Sequence, residues 1–132
     1  MMRFLCVLYT VLLVSACSGP KISVDENTIK TEIADMLHTQ DGAWNRGDIP
    51  AFMEDYIKSD DLRFASGGTV QRGWQGTLDR YLKRYPDRAA MGKLAFTDME
   101  IDVLSDNAAM VFARWELTRE HDKPGGLFTL LV

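Results

Sequence analysis

Histidine and cysteine are nearly absent from this chain of 132 residues, which carries two of each. The histidines, His38 and His121, lie far apart, so no paired spacing points to a metal site. No phosphate-binding glycine loop, dinucleotide fingerprint or nucleophile elbow occurs. No segment repeats and no tract is of low complexity. Basic charge is also short: 15 Lys and Arg stand against 19 Asp and Glu, a net charge of −4. Nucleic-acid binding needs clustered cations to neutralise phosphates. The one basic cluster, Arg80, Lys83, Arg84 and Arg88, is interrupted by Asp79 and Asp87, which suits a solvated helix face. Asp60 and Asp61 are adjacent carboxylates of the kind found in a solvated turn. No metal, no cofactor and no nucleic-acid partner is expected. Nor does any apolar run reach the ~20 residues that span a bilayer as a helix.

What the chain does have begins at its N-terminus. Met1-Met2-Arg3 carries one basic residue, and Phe4 to Val14 is apolar except for Thr10. Small residues follow. This is the grammar of a secretory signal. Val14-Ser15-Ala16-Cys17 resembles the lipobox of bacterial lipoproteins. That resemblance implies diacylation of Cys17, removal of residues 1–16, and a lipid-anchored domain in the cell envelope, facing the periplasm or the exterior. Two acyl chains anchor stably where one binds only marginally. Ser18 is not the aspartate that resembles an inner-membrane retention signal, so outer-membrane sorting is permitted. Cys6 would leave with the signal and Cys17 would be consumed by lipid. The folded part then has no disulfide, thiolate nucleophile or cysteine metal site.

The 116 residues from Cys17 to Val132 suffice for one domain and not for two. Residues 17–26 read as the lipidated cysteine and a polar tether, and residues 27–132 as the domain. Ile29, Ile33, Met36 and Leu37 fall at helical spacing, predicting a helix from about Asn27 to Asn45. Gly47 suits the left-handed position that ends it, and Asp48 can cap a second helix carrying Phe52, Met53 and Tyr56. Leu62–Ala65 and Thr69–Gln71 read as a hairpin turning on Gly67-Gly68. A third helix is expected from about Gly73 to Tyr85, striped by Trp74, Leu78, Tyr81 and Tyr85 and ended by Pro86. The period then changes. Leu94–Leu104 alternates, with Met99, Ile101 and Val103 on one side and Asp98, Glu100 and Asp102 on the other. Ala108–Thr118 and Leu127–Val132 follow as strands. Three helices before long antiparallel strands make an α+β fold with the helices on one face of a curved sheet.

Ala43-Trp44-Asn45-Arg46-Gly47-Asp48 resembles the first helix junction of the nuclear transport factor 2-like superfamily. Ser66-Gly67-Gly68-Thr69-Val70-Gln71-Arg72-Gly73-Trp74 and Arg84-Tyr85-Pro86-Asp87-Arg88 resemble its SnoaL-like branch of unknown function. The resemblance covers about residues 27–132. It implies a cone-shaped roll with a ligand site between helices and sheet. It does not imply one activity, because this fold hosts enzymes, binding proteins and assembly domains. Family members usually carry further strand after a segment like Phe128-Thr129-Leu130-Leu131-Val132, so a C-terminally truncated chain is expected here. The alternative is an edge covered by a partner subunit, since uncovered edges promote aggregation.

Trp44, Tyr56, Phe64, Ser66, Trp74, Tyr81 and Trp115 are the candidates to line the cone. Arg114 and Glu116 share a strand face with Met110 and Phe112. Facing inward, they could hold an anionic group or serve as acid and base; facing outward, they would be surface charges of little consequence. Ketosteroid isomerase, an enzyme of the superfamily, uses an aspartate base with a tyrosine and a protonated aspartate. Anchored on the Asn45–Asp48 junction, its tyrosine falls near Gln40 and its base near Ser66. Neither residue can do that work, so steroid-isomerase chemistry is rejected. The favoured function is a non-catalytic, membrane-tethered domain binding a small apolar or mildly anionic ligand. The alternatives are a cofactor-free cyclase, isomerase or hydrolase using Arg114 and Glu116, and a dimeric assembly domain.

Overall fold

The computed structural model describes Val24–Val132. Cys6, Cys17 and the expected signal segment lie outside the described residues. Helices come first and the sheet afterwards, which is the expected α+β layout.

Helix α1 runs Glu26–Arg46. Asp25 caps its start, its carboxylate accepting the Thr28 N–H at 3.0 Å. Gly47 ends it at φ 86°, the left-handed position where glycine avoids a side-chain clash. Asp48 caps α2, Ile49–Phe52, by accepting the Ala51 N–H at 2.9 Å. This helix is shorter than the spacing of Phe52, Met53 and Tyr56 suggested. Beyond Phe52 the hydrogen bonds shorten to three residues, Glu54 to Ala51 and Tyr56 to Met53, and the chain winds through turns. The three side chains are packed by tertiary contact instead.

Strands β1 (Arg63–Ser66) and β2 (Thr69–Arg72) form the hairpin, with Ser66 opposite Thr69. Gly67 and Gly68 both have positive φ, 58° and 76°, as a two-residue turn of this kind demands. Helix α3 spans Trp74–Arg84. A short helix absent from the sequence reading, α4 (Arg88–Met91), follows, with Asp87 accepting the Ala90 N–H at 2.8 Å.

The main sheet is antiparallel, in the order β3 (Lys93–Ser105), β4 (Ala108–Thr118), β5 (Gly125–Leu131). Leu94 and Phe96 point inward, and so do Met99, Ile101 and Val103. Those two sets have opposite parity. A register break between Thr97 and Glu100, with Asp98 at φ 53°, reconciles them as a β-bulge. From Leu94 to Val103, Ala109 to Leu117 and Gly126 to Leu130, the inward positions are all apolar.

Two contacts pin the helices to this sheet. The Asn45 amide accepts the Leu94 N–H at 2.8 Å and donates to the Leu94 carbonyl at 2.9 Å, so one side chain acts as an extra strand residue. Arg88 donates to the carbonyls of Trp44 and Asn45 at 2.8 and 3.1 Å, joining the Gly47 N–H on the first and satisfying the second at the end of α1. The core beneath has two parts. One is aromatic, around Trp44, Phe52 and Met53; the other is aliphatic, where Leu37 meets Val111 and Ala113.

Candidate small-molecule site in the cone

The helical stripe of α3 puts Tyr81 at the centre of a continuous aromatic cluster. Its ring meets Phe52 at 5.4 Å, Phe64 at 5.5 Å and Trp44 at 6.0 Å between centroids. Tyr85 stands edge-on to Trp44 at 4.7 Å, and Tyr56 lies 6.0 Å from Phe52. Edge-to-face pairs like these add to area burial. Trp44 is 2% exposed, and its indole N–H donates to the Met91 carbonyl at 3.3 Å.

The Tyr56 and Tyr81 hydroxyls are near enough to perturb each other inside this cluster. Burial pushes Tyr56 up to about 12, against a smaller lowering by the Tyr81 hydroxyl. Tyr81 is raised too, first by burial and then by the neighbouring phenols Tyr56 and Tyr85; Arg80 opposes this weakly. Both are therefore neutral phenols, able to donate and accept hydrogen bonds but not to act as bases near neutrality.

The candidate residues divide. Trp44, Tyr56, Phe64 and Tyr81 come together in the cluster, and Trp115 lies on the inner face of β4, packed against it. Ser66 does not join them. It is exposed at the hairpin tip, its carbonyl accepting the Thr69 hydroxyl at 3.0 Å. Trp74 turns only one side to the core. Its indole N–H donates to the Met53 carbonyl at 2.9 Å, and Lys58 lies 5.6 Å over its ring. The other side borders a surface cleft of about 430 Å³ with Ser59, Asp60 and Gln75.

Arg114 and Glu116 do share a face with Met110 and Phe112, but that face is the outer one. Arg114 reaches the Asp98 carboxylate at the bulge, Nε to Oδ2 3.1 Å, with its side chain 49% exposed. Glu116 accepts from the Thr118 hydroxyl at 3.4 Å. The two therefore form no acid–base set in the cone, which corrects that expectation. An exposed pair such as Arg114–Asp98 contributes little. His38 and His121 are both exposed, on α1 and in the turn before β5. Among the described residues no group of three or more His, Cys, Asp or Glu could hold a metal ion.

Sequence reasoning left three residues out of the site. Phe52 and Tyr85 belong to the aromatic cluster, and their helical spacing with Tyr56 and Tyr81 was the available signal. Gln40 was set aside as chemically unfit for an isomerase, yet it is 3% exposed on the inner face of α1.

No family model matches the sequence, and no curated protein matches it significantly. Solved structures do. A crystal structure of an NTF-2-like protein of unknown function from Shewanella oneidensis MR-1 is 45% identical, with 78% of this chain and 85% of that one covered at a TM-score of 0.75. A Catenulispora acidiphila protein in complex with S-DNPA is 18% identical over 80% of this chain and 78% of that one, at a TM-score of 0.54. The putative calcium/calmodulin-dependent protein kinase II association domain from Xanthomonas campestris is 13% identical over 90% and 85%, at 0.57. The last two share the fold alone.

Proposed function

This chain belongs to the nuclear transport factor 2-like superfamily, and on that premise we propose that it is a non-catalytic domain binding a small neutral molecule, held at a bacterial membrane by lipid on Cys17. The observation that carries the binding reading is the composition of the cone. An aromatic wall around Tyr81 adjoins sheet positions that are all apolar, with the neutral phenols of Tyr56 and Tyr81 among the polar groups of that wall. Apolar lining with a few placed polar groups is the usual make-up of a small-molecule site. A neutral ligand suits it better than a mildly anionic one. Arg114 faces outward and Arg88 is committed to the end of α1. A buried anion would lack a counter-charge and be strongly disfavoured. Native mass spectrometry of the protein purified from membranes is expected to show a retained neutral molecule. A bare protein that also takes up no apolar probe would overturn the reading.

The tether rests on the lipobox resemblance. Cys17→Ser is expected to abolish palmitate labelling and release the domain from membranes; an unlabelled wild type would remove the tether.

The outer sheet face supports homodimerisation as a second reading. Met110 and Phe112 are each 38% exposed there, and on β5 Leu131 lies opposite Met110 and Leu127 opposite Arg114. An apolar patch of this kind marks an association surface. Phe112→Asp should convert a sedimenting dimer to monomer, and a wild-type monomer at high concentration would exclude it.

A further inference from the structure

The cleft on the outer side of Trp74 has a volume of about 430 Å³, within the roughly 300–1,000 Å³ usual for small-molecule sites. Its walls are held by backbone. The Trp74 N–H donates to the Ser59 carbonyl at 3.1 Å and the Gly73 N–H to the Leu62 carbonyl at 2.9 Å, tying the turn before β1 to the start of α3. Gly73 sits at φ 76°, and a Cβ there would lie 3.8 Å from the Asp60 carboxylate. The indole is fixed as well, because its N–H is taken up inward by the Met53 carbonyl. What the ring shows the cleft is therefore carbon surface alone.

The rim around that surface is polar and offers both donors and acceptors. The Asp60 carboxylate has no hydrogen bond or ion pair among the described residues, so it is an open acceptor. Ser59 accepts the Asp61 N–H through Oγ at 3.0 Å and keeps its hydroxyl proton. Gln75 donates to Asp79 at 2.9 Å and keeps its amide oxygen. Lys58 pairs with Glu54 and lies 5.6 Å over the Trp74 ring, on a side chain 53% exposed and free to swing aside.

Ligand classes meet this cleft differently. A flat apolar molecule would cover the ring but strip water from the rim groups without replacing it. An anion would face the Asp60 carboxylate. A cation would have to take the place that the Lys58 ammonium already holds over the ring. A sugar ring satisfies floor and rim together, because its C–H face is apolar and each hydroxyl both donates and accepts.

We infer that this cleft is a saccharide site, where a neutral hexopyranoside lays its C–H face on Trp74 and directs its hydroxyls to Asp60, Ser59 and Gln75. A carboxylate can accept from two neighbouring hydroxyls at once, and such charge-assisted bonds are the stronger kind. The site is separate from the cone and stands whether or not the cone holds a molecule.

The test uses the full chain with methyl β-glucoside, methyl β-galactoside and methyl β-N-acetylglucosaminide as probes, and tetramethylammonium as the cationic control. The Trp74 indole N–H resonance is identified by its loss in Trp74→Phe. At least one glycoside is expected to shift that resonance saturably at millimolar concentration and to leave the other two indoles unmoved. Asp60→Ala should weaken that glycoside roughly tenfold, because a bond to a charged group is lost. Asp60 is exposed, so the variant should melt like the wild type. Gln75→Ala, also at an exposed position, repeats the comparison if Asp60→Ala misfolds. No response to any glycoside, or a response carried by another indole, overturns the site. So does glycoside binding indifferent to both substitutions. Tetramethylammonium that shifts Trp74 at lower concentration than any glycoside would make this a cation site and overturn the inference as well.

Discussion

Replacing Asn45 by alanine removes both hydrogen bonds that tie α1 to the first residues of β3. Each such bond contributes about 0.5–1.5 kcal/mol net, and a donor or acceptor left unmet costs ~1–3 kcal/mol when it stays dry. The Leu94 backbone is only part-buried at this point, so water recovers some of the loss. A destabilisation of about 2–4 kcal/mol follows, which for a domain near this size lowers Tm by roughly 10 °C or more. Asn45→Asp separates the two bonds. Its carboxylate still accepts the Leu94 N–H, but its other oxygen faces the Leu94 carbonyl and is repelled. The folded state therefore holds this new carboxyl above its unfolded value. A carboxyl raised in this way binds more protons folded than unfolded between the two values, so stability falls as pH rises through them. The aspartate variant should thus regain stability relative to wild type on going from pH 7 to pH 4, whereas the alanine variant should not. Thermal and urea melts followed by circular dichroism measure both. A loss below about 1 kcal/mol for alanine, or an acid response shared by both variants, would refute the strand-mimic role of Asn45.

Trp44→Ala should cost ~3–5 kcal/mol and Trp74→Ala distinctly less, because only the first is fully enclosed; equal losses in urea titrations would contradict that ranking. Tyr56, up at about 12 against an ordinary 10, should keep its phenol in alkali well beyond the free amino acid, seen by ultraviolet absorbance. Its contribution to stability is full below pH 10 and is lost as pH rises towards about 12, so alkaline unfolding should sharpen phenolate formation. Asp98→Gly should leave stability unchanged or raise it by up to about 1 kcal/mol, since glycine takes positive φ freely and the lost Arg114 pair is exposed. A large loss of Tm would show that the ion pair matters.

Much of the fold was legible because its devices are local. The cap residues Asp48 and Gly47, the Gly67-Gly68 turn and the stripe from Trp74 to Tyr85 each act over a few positions. The extent of α2 was not, because Met53 and Tyr56 owe their burial to distant partners such as α3 rather than to a continuing helix. The direction of Arg114 was undecidable for a related reason. Both faces of β4 carry apolar residues, Met110 and Phe112 on one and Ala109, Val111 and Ala113 on the other. The smaller set faces inward, where α1 lies close above and bulk is excluded. Gln40 was passed over because its residue type argues for the surface; its burial comes from position on the inner face of α1, between Leu37 and Trp44.

The bulge at Asp98 sets how this domain can change length. It works as a phase shift within a single strand: even-numbered residues face the helices before it and odd-numbered residues after it. Deleting Asp98 would remove the extra residue and restore unbroken alternation, with Leu94, Phe96, Met99, Ile101 and Val103 all still facing the helices. A single deletion or insertion elsewhere in β3 would instead invert the half of the strand it displaced, swinging apolar residues to solvent and carboxylates such as Glu100 and Asp102 into the core. Outside the bulge, viable length changes in this strand must therefore come as cancelling pairs. The Gly67-Gly68 tip, where an added side chain meets nothing within 4 Å, has no such phase to keep. Length variation among relatives should gather at that tip and avoid β3 outside its bulge, and a tag or label placed at the tip should leave the core untouched.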